Sequence, residues 1–263
     1  MKIAAVQIDI VKRDKKANLQ KVRRMLEGQG LDLAVLPELF ATGYFFADRA
    51  EAESMAESVP QGETTQALCR MASEFDCHII GCVLEEEADK LYLSAVVVGP
   101  QGYLGKQRKR HLTEFDARWY SQGEESVVFD IMGSKVGVLV CFDAWFPESA
   151  RELTLRGAQI ICQTALISSP DTMQIMRVRA IENKAFVVVA NATGEEIYQN
   201  AAMRFRGESR VIDFLGNILQ TIEREEGVVS AEVAVAAADG KAMGDCTDLL
   251  AEIKRHRALY QKD

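Results

Sequence analysis

No apolar stretch in this chain approaches the roughly 20 residues that a membrane helix needs. Met1-Lys2-Ile3-Ala4-Ala5-Val6 leads straight into Gln7 and Asp9, without the layout of a signal peptide. A cytoplasmic protein without a membrane partner is therefore expected. Histidine is scarce: His78, His111 and His256 stand far apart, and no CxxC pair occurs. Zinc built on the usual Cys/His spacing is thereby disfavoured, and neither metal nor cofactor is expected. Six cysteines (Cys69, Cys77, Cys82, Cys141, Cys162, Cys246) are too few and too irregular for a disulfide framework. Basic charge is also short, with 31 Lys and Arg against 39 Asp and Glu and a net charge of −8. That balance argues against nucleic acid as a partner. Linkers, repeats and low-complexity segments are missing too.

What is present is ordinary for a globular protein: 48% apolar and 27% charged residues. A chain of 263 residues could build one large α/β domain or two modest ones. Strand and helix signals alternate too evenly for separate domains, so one domain over residues 1–263 is expected, with a mixed sheet or two stacked sheets.

Strands are expected at Lys2 to Asp9 and Leu31 to Leu36, around a helix from Asn18 to Leu26 that Gly28 and Gly30 close. Ala41 to Tyr44 reads as a loop. A helix from Glu63 to Phe75 precedes a hairpin of His78 to Glu85 and Leu91 to Gly99. Ser126 to Asp130 should pair with Lys135 to Cys141. Helices follow at Pro147 to Arg156 and Thr172 to Lys184, and strands at Gln159 to Ala165 and Ala185 to Asn191. After the turn Ala192-Thr193-Gly194 come a hairpin within Arg206 to Thr221, a last strand at Val228 to Ala236, and a helix from Thr247 to Tyr260.

The chain turns on Lys135 to Glu148. Lys135 to Val140 is an apolar, β-branched run suited to a fully buried strand, and it ends at Cys141. Phe146-Pro147-Glu148 then opens a helix, with proline suited to the first turn and glutamate to its positive end. Cys141 thus sits where a buried strand gives way to a helix, a usual place for a reactive side chain in an α/β sheet. Taken alone, it fits a small buried hydrophobe equally well. Glu38 also follows a buried strand, and Lys109 lies in the basic cluster Lys106 to His111. Together the three could supply a base, a cation and a nucleophile. Singly, Glu38 reads as a cap and Lys109 as part of a solvated basic face.

Leu36-Pro37-Glu38-Leu39-Phe40-Ala41-Thr42-Gly43-Tyr44 resembles the glutamate motif of the nitrilase superfamily, the carbon–nitrogen hydrolases. Arg108-Lys109-Arg110-His111-Leu112 is similar to its lysine motif, and Cys141 to Glu148 to its cysteine motif. Gln7, Asn18, Tyr92 with Ser94, Arg179 to Asn183, Asn191, Gly207-Glu208-Ser209 and Arg257 to Tyr260 extend the match over nearly the whole chain, in order. The resemblance implies a four-layer αββα sandwich that pairs into a homodimer through helices. It implies Glu38 as general base, Cys141 as nucleophile, Lys109 as oxyanion stabiliser and the Phe142 N–H in the oxyanion hole. A thioester on Cys141 would form as ammonia or an amine leaves, and water would release the acid.

The sequence departs from the family where a second glutamate often follows the lysine. At that spacing stands Asp116, with Glu114 nearby, and either could fill the role. Leu93 replaces a frequent asparagine, which suggests a packing change. Tyr44, Trp145 and Ala165 complete the expected substrate-binding set with Phe142 and Glu114, and Ser168-Ser169-Pro170 is expected at the entrance. Asp143 and Glu148 read as capping and helix-end charges. Cys141-Phe142-Asp143 lacks the Cys-Trp-Glu of true nitrilases, and the loop between Leu112 and Gly123 is short for carbamoyl-amine hydrolases. A small-molecule amide is therefore the expected substrate, with N-carbamoyl compounds and nitriles as alternatives. An inactive member serving as a binding module is the non-enzyme alternative.

Overall fold

The computed structural model describes residues 1–199, 201–239, 241–243 and 247–256. The first sheet is built from β1 (Lys2–Gln7), β2 (Leu33–Val35), β3 (His78–Glu87), β4 (Lys90–Gly99) and β5 (Gly102–Arg108). The second contains β6 (Val128–Ile131), β7 (Ser134–Val140), β8 (Ile160–Ala165) and β9 (Phe186–Asn191). A separate ribbon pairs β10 (Glu195–Tyr198) with β11 (Ala201–Arg204). β12 (Arg210–Ile212) and β13 (Ile218–Thr221) extend the second sheet, and β14 (Gly227–Glu232) returns to the first. The strand orders are β14-β1-β2-β3-β4-β5 and β13-β12-β9-β8-β7-β6. β1, β2 and β3 run parallel, as do β7, β8 and β9, with antiparallel strands outside them.

Each parallel strand is buried on both faces, which is why it reads as an unbroken apolar run. Ile3, Ala5, Leu33 and Val35 meet Val136, Val138, Val140, Ile160 and Val188 between the sheets. Their alternate neighbours Ala4, Val6, Ala34 and Leu36 face α1 (Lys15–Leu26) and α3 (Glu63–Phe75). Leu139, Ile161, Val187 and Val189 face α4 (Pro147–Leu155) and α5 (Pro170–Asn183). The result is a four-layer αββα sandwich of two stacked six-stranded sheets. Gly137 lets α4 lie close on β7, because a Cβ there would sit 2.9 Å from Leu153.

β5, α2 (Arg49–Met55) and the β10–β11 ribbon are among the elements without a counterpart in the sequence reading. α2 is a short helix, capped by Asp48, that buries Ala52. The β10–β11 ribbon falls between the turn at Gly194 and the hairpin from Arg206, where the sequence reading assigns no element. Boundaries shift as well: the last strand ends at Glu232, and a short 3-10 turn takes up Val235–Ala238. The C-terminal helix α6 is described over Leu249–His256, whereas Arg257 to Tyr260 and Cys246 lie outside the described residues. Among the described residues no helix is long and apolar enough to cross a membrane.

Candidate active site

β2 and β7 belong to different sheets, and the residues just past their carboxyl ends meet. Glu38 follows β2 in a turn closed by Thr42 and Gly43 N–H groups on the Leu39 carbonyl, each at 3.0 Å. Its own N–H donates to the Ala165 carbonyl at 3.3 Å, tying it to the second sheet. Cys141 follows β7 at φ +45°, a left-handed conformation that a non-glycine residue adopts only at a cost. A 3-10 turn over Cys141–Trp145 leads into α4. Lys109 follows β5, its N–H donating to Leu93 and its carbonyl accepting from Gly123, both at 2.8 Å.

Glu38, Lys109 and Asp116 are 0%, 1% and 0% exposed. The Lys109 ammonium lies 2.9 Å from Glu38 Oε1 and 2.9 Å from Asp116 Oδ2. A buried lysine survives as a cation only when paired in this way. The cavity above it, about 660 Å³, is lined by Glu38, Lys109, Cys141, Tyr44, Thr113 and Leu166, with the ribbon residues Tyr198 and Ala201 to Arg204. Glu38 Oε2 is buried without a hydrogen-bond partner. The Cys141 thiol makes a long contact, 4.0 Å, to the Leu166 carbonyl.

Ionisation follows from this packing. Burial pushes the Glu38 carboxyl above its ordinary value, and the Asp116 charge adds to that rise against the pull of Lys109. The Cys141 thiol is driven well above the usual thiol range by burial and then by the Glu38 charge. Burial opposes the Lys109 charge, but Glu38, the Cys141 sulfur and Asp116 together hold its pKa well above the lysine value. Asp116 also loses hydration, yet Lys109 and the hydrogen bonds from Tyr44, Lys109 and Thr113 bring its carboxyl below the ordinary range. A thiol, a carboxylate with raised proton affinity and a fixed ammonium are the components of acyl transfer to sulfur.

Of the other residues expected here, Tyr44 lines the cavity. Phe142, Glu114, Trp145 and Ala165 are not among its lining residues. Phe142 packs edge-on against Phe146. Trp145 is turned outward, its indole N–H donating to Thr172 at 3.2 Å. Ala165 is fully buried and contributes its carbonyl to Glu38. Glu114 is exposed, while Ser168 lines the cavity as expected.

Several polar residues that brace this arrangement were not assigned that work from sequence. Asp143 accepts from the Arg110 and His111 N–H groups at 3.2 and 2.8 Å and from Val140 N–H at 3.1 Å. It thereby ties the segment after Lys109 to the strand before Cys141. Arg179 holds the Ala144 and Trp145 carbonyls, and Asn191 clamps both backbone groups of Ile167 next to Leu166. Glu196, on the ribbon but 4% exposed, accepts from Tyr44 N–H and Phe45 N–H at 3.0 Å each. Gly43, at φ +78°, leaves room for it, since a Cβ there would lie 2.9 Å from Glu196 Oε1. No sequence signal separates Glu196 from its neighbour Glu195.

The carbon-nitrogen hydrolase family profile matches residues 2–240. The chain is a carbon–nitrogen hydrolase. Among its relatives, a nitrilase of Pyrococcus abyssi is 39% identical over 254 residues, covering 95% of each chain. A 2-oxoglutaramate amidase of Bacillus subtilis is 33% identical over 241 residues, 88% of this chain and 90% of that one. The crystal structure of XC1258 from Xanthomonas campestris, a CN-hydrolase superfamily protein with an arsenic adduct in its active site, superposes with a TM-score of 0.80. It is 27% identical and covers 100% of this chain and 97% of its own. This carbon–nitrogen hydrolase is accordingly an enzyme of the nitrilase superfamily.

Proposed function

We propose that this enzyme hydrolyses the C–N bond of a small carboxamide through a thioester on Cys141. The observation that carries the reading is the Lys109 ammonium held 2.9 Å from Glu38 in the floor of the cavity that Cys141 lines. The amidase named among the relatives supports the same class of reaction.

The resting thiol keeps its proton, because burial holds its pKa well above the usual range. Attack therefore requires transfer of that proton to Glu38, whose raised proton affinity makes it a stronger base than an exposed carboxylate. As sulfur bonds to the carbonyl carbon, negative charge grows on the carbonyl oxygen. Lys109, already held in the cavity floor, takes up that charge, and on this reading the N–H of Phe142, the residue after the nucleophile, joins it. Glu38 then gives its proton to the leaving nitrogen, the C–N bond breaks, and ammonia or an amine departs. Water attacks the thioester, yielding a proton to Glu38, and collapse releases the carboxylic acid while the proton returns to sulfur. Asp116 holds Lys109 charged and in place throughout.

A panel of amides, N-carbamoyl amines and nitriles assayed for ammonia release tests this reading, with mass spectrometry of the trapped protein. An acyl adduct on the Cys141 peptide and turnover of amides are expected. An unmodified Cys141 during turnover would sink it. The Pyrococcus abyssi relative's name makes nitriles the second class to compare.

We also take residues 1–263 as one domain that forms a cytoplasmic homodimer through helices. Val178 and Ile181 on α5 leave apolar surface exposed, as does Leu215, whose chain neighbour Gly216 packs against Ile181. Light scattering checks the dimer, and a monomer at micromolar concentration would refute it.

A further inference from the structure

Beyond the reacting groups, the cavity is an aromatic and aliphatic chamber with no charge to spare. Phe45 stacks on Tyr198 with ring centroids 4.9 Å apart, and Phe115 meets both at 5.3 Å in edge-on geometry. Leu166 and Met203 add aliphatic surface. In the floor, one ammonium already faces two carboxylates, Glu38 and Asp116, so a further anion brought there is repelled. The other cation lining the cavity among the described residues is Arg204. Its side chain is 80% exposed at the rim and lies 3.0 Å from Glu195. A substrate carboxylate would have to compete for it in water, where such a pair contributes little.

We propose that the enzyme selects neutral amides with an apolar far arm, and discriminates against amides whose arm ends in a charge. The proposal rests on the amidase reading above. A cavity of about 660 Å³ is large enough for an arm of several carbons beyond the amide itself. Each methylene buried against Phe45, Phe115 and Tyr198 should raise kcat/KM about fourfold until the arm reaches the rim. A carboxylate on the same arm loses hydration against Phe45 and Phe115, which offer it no donor, and the single neutral hydroxyl of Tyr198 does not replace that shell. An ammonium on that arm meets Arg204 at the rim.

The test measures ammonia release by the wild-type enzyme from a length series and two matched pairs. The series is acetamide, butanamide and hexanamide. The pairs are 5-methylhexanamide with glutaramate, and hexanamide with 5-aminopentanamide. Expected are a rise in kcat/KM along the series and a penalty of at least about tenfold for each charged arm. Phe115→Ala should flatten the series and narrow both gaps; should that variant fold poorly, the wild-type series still decides. A flat series, or preference for either charged arm, would overturn the proposal while leaving the amidase reading intact. Glutaramate preference that vanishes in Arg204→Ala would instead make Arg204 a carboxylate receptor. No ammonia from any amide would remove the amidase reading and this proposal together.

Discussion

The Tyr44 hydroxyl donates to Asp116 Oδ1 at 2.6 Å, while Asp116 Oδ2 faces Lys109 at 2.9 Å and accepts the Thr113 N–H at 2.9 Å. One short carboxylate thus links the loop after β2 to the segment after β5. Asp116 also opens the 3-10 turn Asp116–Arg118, so its carboxylate is fixed at both the side chain and the main chain.

Asp116→Asn should keep the shape and lower kcat by about 10²-fold, the low end for a positioned acid or base. Tyr44→Phe, which removes one hydrogen bond and keeps the ring, should cost less. Glu114→Gln should be close to silent, because Glu114 is exposed and does not line the cavity. Steady-state kinetics of the three variants checks this ordering, and a damaging Glu114→Gln with a silent Asp116→Asn would reverse the assignment.

The pH profile of kcat/KM should show an acid limb above the ordinary carboxylate value of 4.5, since Glu38 must be deprotonated to act as base and its pKa is raised. The limb belongs to the coupled cluster as a whole. Asp116's negative charge is one cause of that rise, so Asp116→Asn should move the limb to lower pH even as kcat falls. A limb that stays put would show that the two carboxyls do not communicate.

Cys141→Ala should abolish turnover with the fold retained, whereas alanine or serine at Cys69, Cys77, Cys82 or Cys162 should change stability alone. Circular dichroism with an ammonia assay separates the two effects. More than trace activity in Cys141→Ala would exclude the covalent route.

Lys109→Arg should lose kcat although it keeps the charge, because a longer side chain ending in a planar fork does not place that charge at the buried point the compact ammonium occupies, 2.9 Å from Glu38 and Asp116. The oxyanion exists only along the reaction path, so the loss should fall on kcat. Near-normal kcat would return Lys109 to the role of a structural cation.

The parallel strands were legible because burial on both faces leaves an apolar run, as at Lys135 to Val140 and Leu31 to Leu36. Their ends located Glu38 and Cys141, and motif order brought Lys109 to them. The β10–β11 ribbon was not legible: Ala201–Arg204 is exposed throughout and carries no alternation. α2 is short and buries only Ala52, too little for a periodic signal. Asp143 caps the 3-10 turn through the Val140 N–H, as its position suggested, but its second tie, to the Arg110 and His111 N–H groups, depends on contacts remote in sequence.

Glu196→Ala should destabilise the enzyme by about 1–3 kcal/mol, because the Tyr44 and Phe45 N–H groups lose their buried acceptor. Glu196→Gln retains one acceptor and should fall in between, with KM rising more than kcat falls as the cavity wall loosens. Denaturant titration alongside kinetics checks both. Unchanged stability would mean that the ribbon is held by other contacts.

Cys141 occupies its left-handed conformation whatever side chain it carries, so deleting the sulfur as alanine leaves the strain in place. Glycine alone relaxes it, by about 1–2 kcal/mol at most. Cys141→Gly should therefore melt above Cys141→Ala, despite glycine's greater freedom when unfolded. On the thioester reading this is the nucleophile's own position, so the thermal tolerance that glycine offers is open only to a variant without the thiol.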